Sequence, residues 1–134
     1  MNSKKDIYQS IEPIEKREYY KLSSAQKRMY FLQQFNLEST SYNMPNMIEI
    51  NGKIDREKLD EILRKLIIRH ESFRTSFEII EGEPIQRIYK NVEFKIKSYK
   101  VSEKNQSEIN IRVDEITKGF IRPFNLKETP LLRI

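Results

Sequence analysis

The stretch from Ile54 to Ile79 constrains the fold most, because the period of its apolar residues changes inside it. Asp55 is placed to cap a helix, with Ile54 and Leu59 set as a hydrophobic staple across the cap. Leu59, Ile62, Leu63, Leu66 and Ile67 follow the helical period and Phe73 extends it, which predicts a helix over 55–73 with one buried stripe. From Thr75 the period drops to two. Thr75, Phe77 and Ile79 alternate with polar neighbours, EGEP turns the chain, and Ile85–Tyr89 returns as a partner strand. A helix running into a hairpin calls for layers, with the helix laid on one face of a sheet.

The flanking segments extend that plan. Ser23 is an N-cap with Gln26 three places later, so a helix opens in SSAQKRMYFLQQF, with Ala25, Met29 and Leu32 as its core-facing stripe. Phe31 and Phe35 lie one turn apart on a flank of that helix. Tyr19–Leu22 reads as a short strand feeding it. Residues 36–46 are loop formers, and Pro45 keeps Met44 extended. Met47–Ile50 reads as a strand ended by the turn pair Asn51-Gly52, and Val92–Tyr99 as another, with Val92, Phe94 and Ile96 on its buried face. Ile109, Val113, Ile116 and Phe120 mark a third helix that stops before Pro123. Leu131, Leu132 and Ile134 begin one more strand whose neighbours this sequence does not supply. The expected class is α/β, an α+β two-layer sandwich, and the chain is expected to be a fragment or lobe of a larger fold.

Composition removes several functions. A chain of 134 residues is one domain or part of one. With 34% charged and 37% hydrophobic residues it is neither disordered nor membrane-spanning in character. It has no Cys, so disulfides and thiolate metal sites are out and a cytoplasmic setting is expected. The net charge of +5 raises nucleic acid as a partner. Yet Glu93, Lys95 and Lys97 alternate along the wet face of a strand, and IDREKLDEILRK mixes both signs on one helix. No basic stripe interleaved with aromatics occurs, which favours solvated faces over a nucleic-acid footprint.

Chemistry is equally sparse. The single histidine, His70, adjoins Glu71, but neighbouring helix residues point about 100° apart and form no dyad, so His70 is expected to end the buried stripe. No nucleophile elbow, phosphate loop or metal-ligand spacing is present. The residues alone describe a layered fragment without a visible active site.

Two stretches nevertheless resemble the condensation domains of nonribosomal peptide synthetases. SSAQKRMYFL at 23–32 is similar to the family's first core motif, and RHESFRTSF at 69–77 to its second, in the expected order and after the expected amphipathic helix. SYNMP at 41–45, GEPIQ at 82–86 and RPFNL…PLLR within 122–133 match the family's texture. The resemblance runs from Tyr19 to Ile134, and polar residues 1–18 resemble the linker that follows a carrier domain.

The resemblance implies the N-terminal part of a fold similar to chloramphenicol acetyltransferase, two like lobes forming a V around the active site. It implies amide formation between a donor acyl or peptidyl group and an acceptor aminoacyl group. Each is held as a phosphopantetheine thioester on a carrier protein, so no cofactor is bound directly. The partners implied are donor and acceptor carriers, adjoining synthetase domains and the missing C-terminal lobe, with no nucleic acid and no membrane. The family's HHxxxDG motif is absent, so no catalytic residue is expected here and this chain alone is expected to be inactive. The intact SxAQ and RHExxRT patterns look most like domains taking an L-donor and an L-acceptor, with a starter-type domain taking a fatty-acyl donor as the alternative. Arg69 and Arg74 occupy places of family arginines that buttress the catalytic loop, and Phe31 and Phe35 match positions that dock the acceptor carrier. The opposing readings are a surface arginine on a local carbonyl and a wide core-facing stripe. A second function, from a different class, is a non-catalytic basic interaction module that binds nucleic acid or a protein.

Overall fold

In the computed structural model, which describes residues 12–102 and 105–134, the sheet is built on a turn at Glu81–Gly82. Both residues have positive φ, 51° and 81°, the backbone of a two-residue turn whose twist suits the strands it joins. The flanking strands β2 (Thr75–Ile80) and β3 (Glu83–Ile88) pair antiparallel from Ile80 opposite Glu83 to Thr75 opposite Ile88. The turn is tighter than the EGEP turn expected, because Glu81 takes a left-handed conformation usually left to glycine. On the other side of β3 lies β1 (Tyr20–Lys21), with Lys21 opposite Ile85, giving the order β1-β3-β2. The next residue of β3 is Pro84, which has no N–H to offer a longer β1.

The helices begin where local chemistry places them. In α1 (Ser24–Phe35) the Ser23 hydroxyl accepts from Gln26 N at 3.2 Å and the Gln26 side chain accepts from Ser23 N at 2.8 Å. Asp55 accepts from Lys58 N at 3.1 Å to open α2 (Arg56–Arg69). Asn105 accepts from Glu108 N at 2.9 Å to open α3 (Gln106–Phe120). The helix expected over 55–73 ends earlier, at Arg69. His70 keeps a bond to Leu66 O, and a 3₁₀ turn (Glu71–Arg74) then carries Phe73 to the core.

That core is α2 laid on two segments outside the hairpin. Leu63, Ile67 and Phe94 are buried together, with Leu59, Phe73, Val92, Ile96, Leu132 and Ile134 packed around them. Val92, Phe94 and Ile96 face inward while Glu93, Lys95 and Lys97 face water, as their alternation requires. Residues 47–50, 92–99 and 131–134, expected as strands, form no ladder; one bond, Lys97 N to Ile134 O at 2.8 Å, links the last two. Alternation fixes which side chains are inside, but a strand also needs a run of bonds to a neighbour, and the described residues supply a single one, at Lys97. At 47–50 not even the buried face forms, with Met47, Ile48 and Ile50 exposed.

Two stripes also depart from expectation. On α1 it is Tyr30, not Ala25, Met29 and Leu32, that is buried, flanked by half-buried Gln26 and Gln33. The helix is therefore turned by one residue, about 100°, from the orientation its apolar pattern suggests. On α2, Ile62 and Leu66 remain exposed. The total accessible surface, 12230 Å² for 16.2 kDa, compares with roughly 7,500 Å² for a folded monomer of that mass. The linker reading of residues 1–18 falls partly on 1–11, outside the described residues.

Arg74 joins the core to the hairpin. Its guanidinium donates to Ile67 O at 3.1 Å and Ile68 O at 3.3 Å in the last turn of α2, and to Tyr89 O just after β3. Its own carbonyl accepts from Tyr89 N at 2.9 Å. A cation at a helix C-terminus is also favoured by the helix dipole.

Two outcomes follow for denaturant unfolding of this chain. Ile67→Ala is expected to cost about 2–5 kcal/mol, whereas Ile62→Ala should stay within about 0.5 kcal/mol. Equal losses at the two positions would show that both faces of α2 are packed. Arg74→Lys replaces a fork by a single point of attachment and is expected to cost about 1–3 kcal/mol, with faster amide exchange at Tyr89. Unchanged stability and exchange would mean that the clamp is idle.

Candidate functional site

The outward face of α1 carries several exposed apolar side chains. Gln26, Tyr30 and Gln33 turn inward, and the amides of the two glutamines find partners. Gln26 Nε2 donates to Gln86 Oε1 at 3.3 Å, and Gln33 Nε2 gathers the carbonyls of Asn36, Leu37 and Ser39 at 3.3–3.4 Å. Lys27 Nζ reaches Glu83 at 2.7 Å and clips the helix to the hairpin turn. This bond, with the ammonium's charge, holds the Glu83 carboxyl below the ordinary carboxylate range. Burial, helped by the charge of Glu78, pushes the Tyr30 phenol up.

With that face committed, the apolar residues are left in water. Phe31 is 45% exposed, Leu32 44% and Phe35 85%. Phe31 is braced from beneath by the Tyr30 ring, edge-on with centroids 6.0 Å apart. Arg28, Phe31, Leu32 and Phe35 fall at i, i+3, i+4 and i+7, one continuous strip along the helix. Phe31 and Phe35 are thus brought together on one free face.

Arg69 and Arg74, which the sequence pairs, are separated by the structure. Arg74 is the clamp described above. Arg69 is exposed in the last turn of α2 and makes no hydrogen bond or ion pair among the described residues. His70 does not end the buried stripe as expected. It is exposed at the C-cap, its ring edge-on to Phe73 with centroids 6.3 Å apart. The 3₁₀ turn explains this, since the chain leaves the helical path at His70. No group of His, Asp and Glu able to hold a metal occurs among the described residues.

A groove of about 450 Å³ lies between the Tyr42–Pro45 loop, the end of α3 and the C-terminal segment. Its wall is set by Arg133, a residue the sequence reading missed. Its guanidinium donates to Arg122 O at 2.5 Å and Pro123 O at 2.6 Å, and lies 3.7 Å from the Phe124 ring centroid. Burial, then the charge of Arg122, lowers its pKa. Asn43 Nδ2 donates to the same Arg122 carbonyl at 3.0 Å. The groove can shelter an apolar group, but no carboxylate, histidine or aliphatic hydroxyl lines it.

Several basic residues among the described ones are already paired with acids. Lys27, Arg64, Lys65, Arg87, Arg112 and Lys118 each pair with an acid and are spread over several elements. The module reading drawn from net charge gains nothing from this arrangement.

Comparison with known proteins decides the family. The family model "Condensation domain" matches residues 16–134. Bacitracin synthase 3 of Bacillus licheniformis is 42% identical over 132 residues, covering 98% of this chain and 2% of the relative. Gramicidin S synthase 2 of Brevibacillus brevis is 44% identical over 127 residues, covering 95% of this chain and 3% of the relative. The chain thus spans a small part of the length of the relatives it matches. A solved starter condensation domain of rhizomide synthetase superposes with a TM-score of 0.73 at 22% identity, over 87% of this chain and 26% of that one. That likeness shows that the mixed helix-and-strand fold is shared. From the family match over nearly all of its length, the chain belongs to the condensation domain family.

Proposed function

We propose that this chain is the opening part of a condensation domain which, when complete, forms an amide between two carrier-bound acyl groups. The observation that carries the reading is the family match over residues 16–134. In the reaction the acceptor's amine attacks the donor's thioester carbonyl. A C–N bond forms, the C–S bond breaks, and the amine's proton is lost as the donor carrier's thiol is released. The sequence has one histidine, so the paired histidines of HHxxxDG cannot come from it and the proton is handled by residues elsewhere. The phosphopantetheine arms belong to the carriers, and the intact motifs favour an L-donor and an L-acceptor. Residues 1–18 are read as the linker from a preceding carrier domain, and the setting as cytoplasmic.

In this reading the chain positions and docks. Arg74, by holding the end of α2 to the end of β3, keeps the platform on which the catalytic loop rests. Arg69 supplies a free cation beside it. Phe31 and Phe35 form the acceptor-carrier docking patch, supported by their exposure on the free face of α1.

Two experiments test this. The complete domain carrying this sequence should join a loaded donor to a loaded acceptor carrier, while residues 1–134 alone should give no product above the no-protein control. Silence from the complete domain would overturn the reading. Second, Phe31→Ser with Phe35→Ser in the complete domain should raise the acceptor carrier's apparent KM and leave the melting point in place. Phenylalanines buried in a core would instead cost about 3–5 kcal/mol each on truncation, and the melt would fall by many degrees.

A further inference from the structure

The charge pattern of α1 says more about what docks there. Its twelve residues include Lys27 and Arg28 as the charged side chains and no acid. Lys27 is spent on Glu83 at 2.7 Å. Arg28 is exposed and makes no ion pair or hydrogen bond among the described residues. It stands at the head of the strip formed with Phe31, Leu32 and Phe35, in the i, i+3, i+4, i+7 pattern of a helix face that anchors a partner.

Covering this strip with a purely apolar surface would bury a cation with nothing to pair it, which is strongly unfavourable. A second copy of the same face fits no better, since it brings another arginine and no acid to a two-fold contact. The favoured occupant has apolar side chains to cover Phe31, Leu32 and Phe35 and a carboxylate about one helical turn away. A planar guanidinium suits such a carboxylate, because two parallel N–H groups match its two oxygens. We infer that Arg28 is an electrostatic anchor for the acceptor carrier protein, pairing with a carboxylate beside that carrier's apolar contact surface. This rests on the docking reading of Phe31 and Phe35.

The test uses the complete domain and its loaded acceptor carrier, with the apparent KM followed through a salt titration. Wild type should weaken as salt rises. Arg28→Gln should raise the low-salt KM roughly three- to fivefold and flatten the salt dependence, with kcat and melting point unchanged. Phe31→Ser/Phe35→Ser should raise KM while keeping the salt dependence. Arg28→Glu should be worse than Arg28→Gln, and one Asp/Glu→Lys change on the carrier should restore it. If Arg28→Gln matches wild type at every salt while the double Phe variant is impaired, the anchor is wrong and the docking patch stands. If neither variant moves KM, the docking reading itself fails. A melting point many degrees lower in Arg28→Gln would place the residue against the rest of the domain and overturn the inference.

Discussion

The pairing of β2 with β3 is what the rest of the structure depends on. It is the one full-length ladder in the described residues, and each other element reaches it through a particular bond. β1 pairs with the far edge of β3 at Ile85 and Gln86. α1 is attached through Gln26 to Gln86 and Lys27 to Glu83. The loop after α3 meets β2 through Phe77 N, which donates to Leu126 O at 2.7 Å. α2 is tied on by Arg74. The two-residue turn at Glu81–Gly82 therefore matters beyond its size, because a slip of one residue there would reverse the faces of both strands. Every one of these attachments would lose its partner at once.

The attachments also explain why the first helix shows its apolar side to solvent. A glutamine facing the interior costs free energy unless its amide is satisfied, and here both inward glutamines are. Gln26 is used twice, as cap and as sheet contact, while Gln33 holds the loop at 36–39. Once those bonds fix the rotation, Met29, Phe31, Leu32 and Phe35 have no route inward. The exposed apolar strip and the inward polar face are two consequences of one rotation.

This accounts for what the sequence could and could not disclose. The caps at Ser23 and Asp55 were legible because a cap and its backbone N–H donor lie within one turn. The cap at Asn105 was not read, and the helix expected over 55–73 ends at Arg69. The hairpin was legible from its alternation, and its tightness was not, since nothing short of the backbone reveals that Glu81 has φ of 51°. The buried face of 92–96 could be read, but its lack of a ladder could not, because pairing is a property of two distant segments. The rotation of α1 was hidden for the same reason. The partner of Gln26 is 60 residues away, and a count of apolar residues assumes that glutamine faces water. Phe31 and Phe35 could be singled out as lying off the expected stripe, while Arg133 could not. Its role depends on the chain folding back over Pro123 to bring Phe124 beneath it.

Uncovered apolar residues lie on two helices, α1 and α2. Ile62 and Leu66 are exposed on α2, where Lys65 is paired with Glu61 at 2.6 Å while Arg69, three residues past Leu66, has no acid among the described residues. Covering such a surface with apolar side chains carries a desolvation cost even where a charge is already paired. The strip on α1 has an arginine without an acid. Such a face is poorly suited to permanent burial and well suited to a partner that comes and goes, because its cation gains a carboxylate on arrival and water on departure. On both helices the exposed apolar residues adjoin a cation that lacks a counterpart among the described residues, so a purely apolar cover suits neither face.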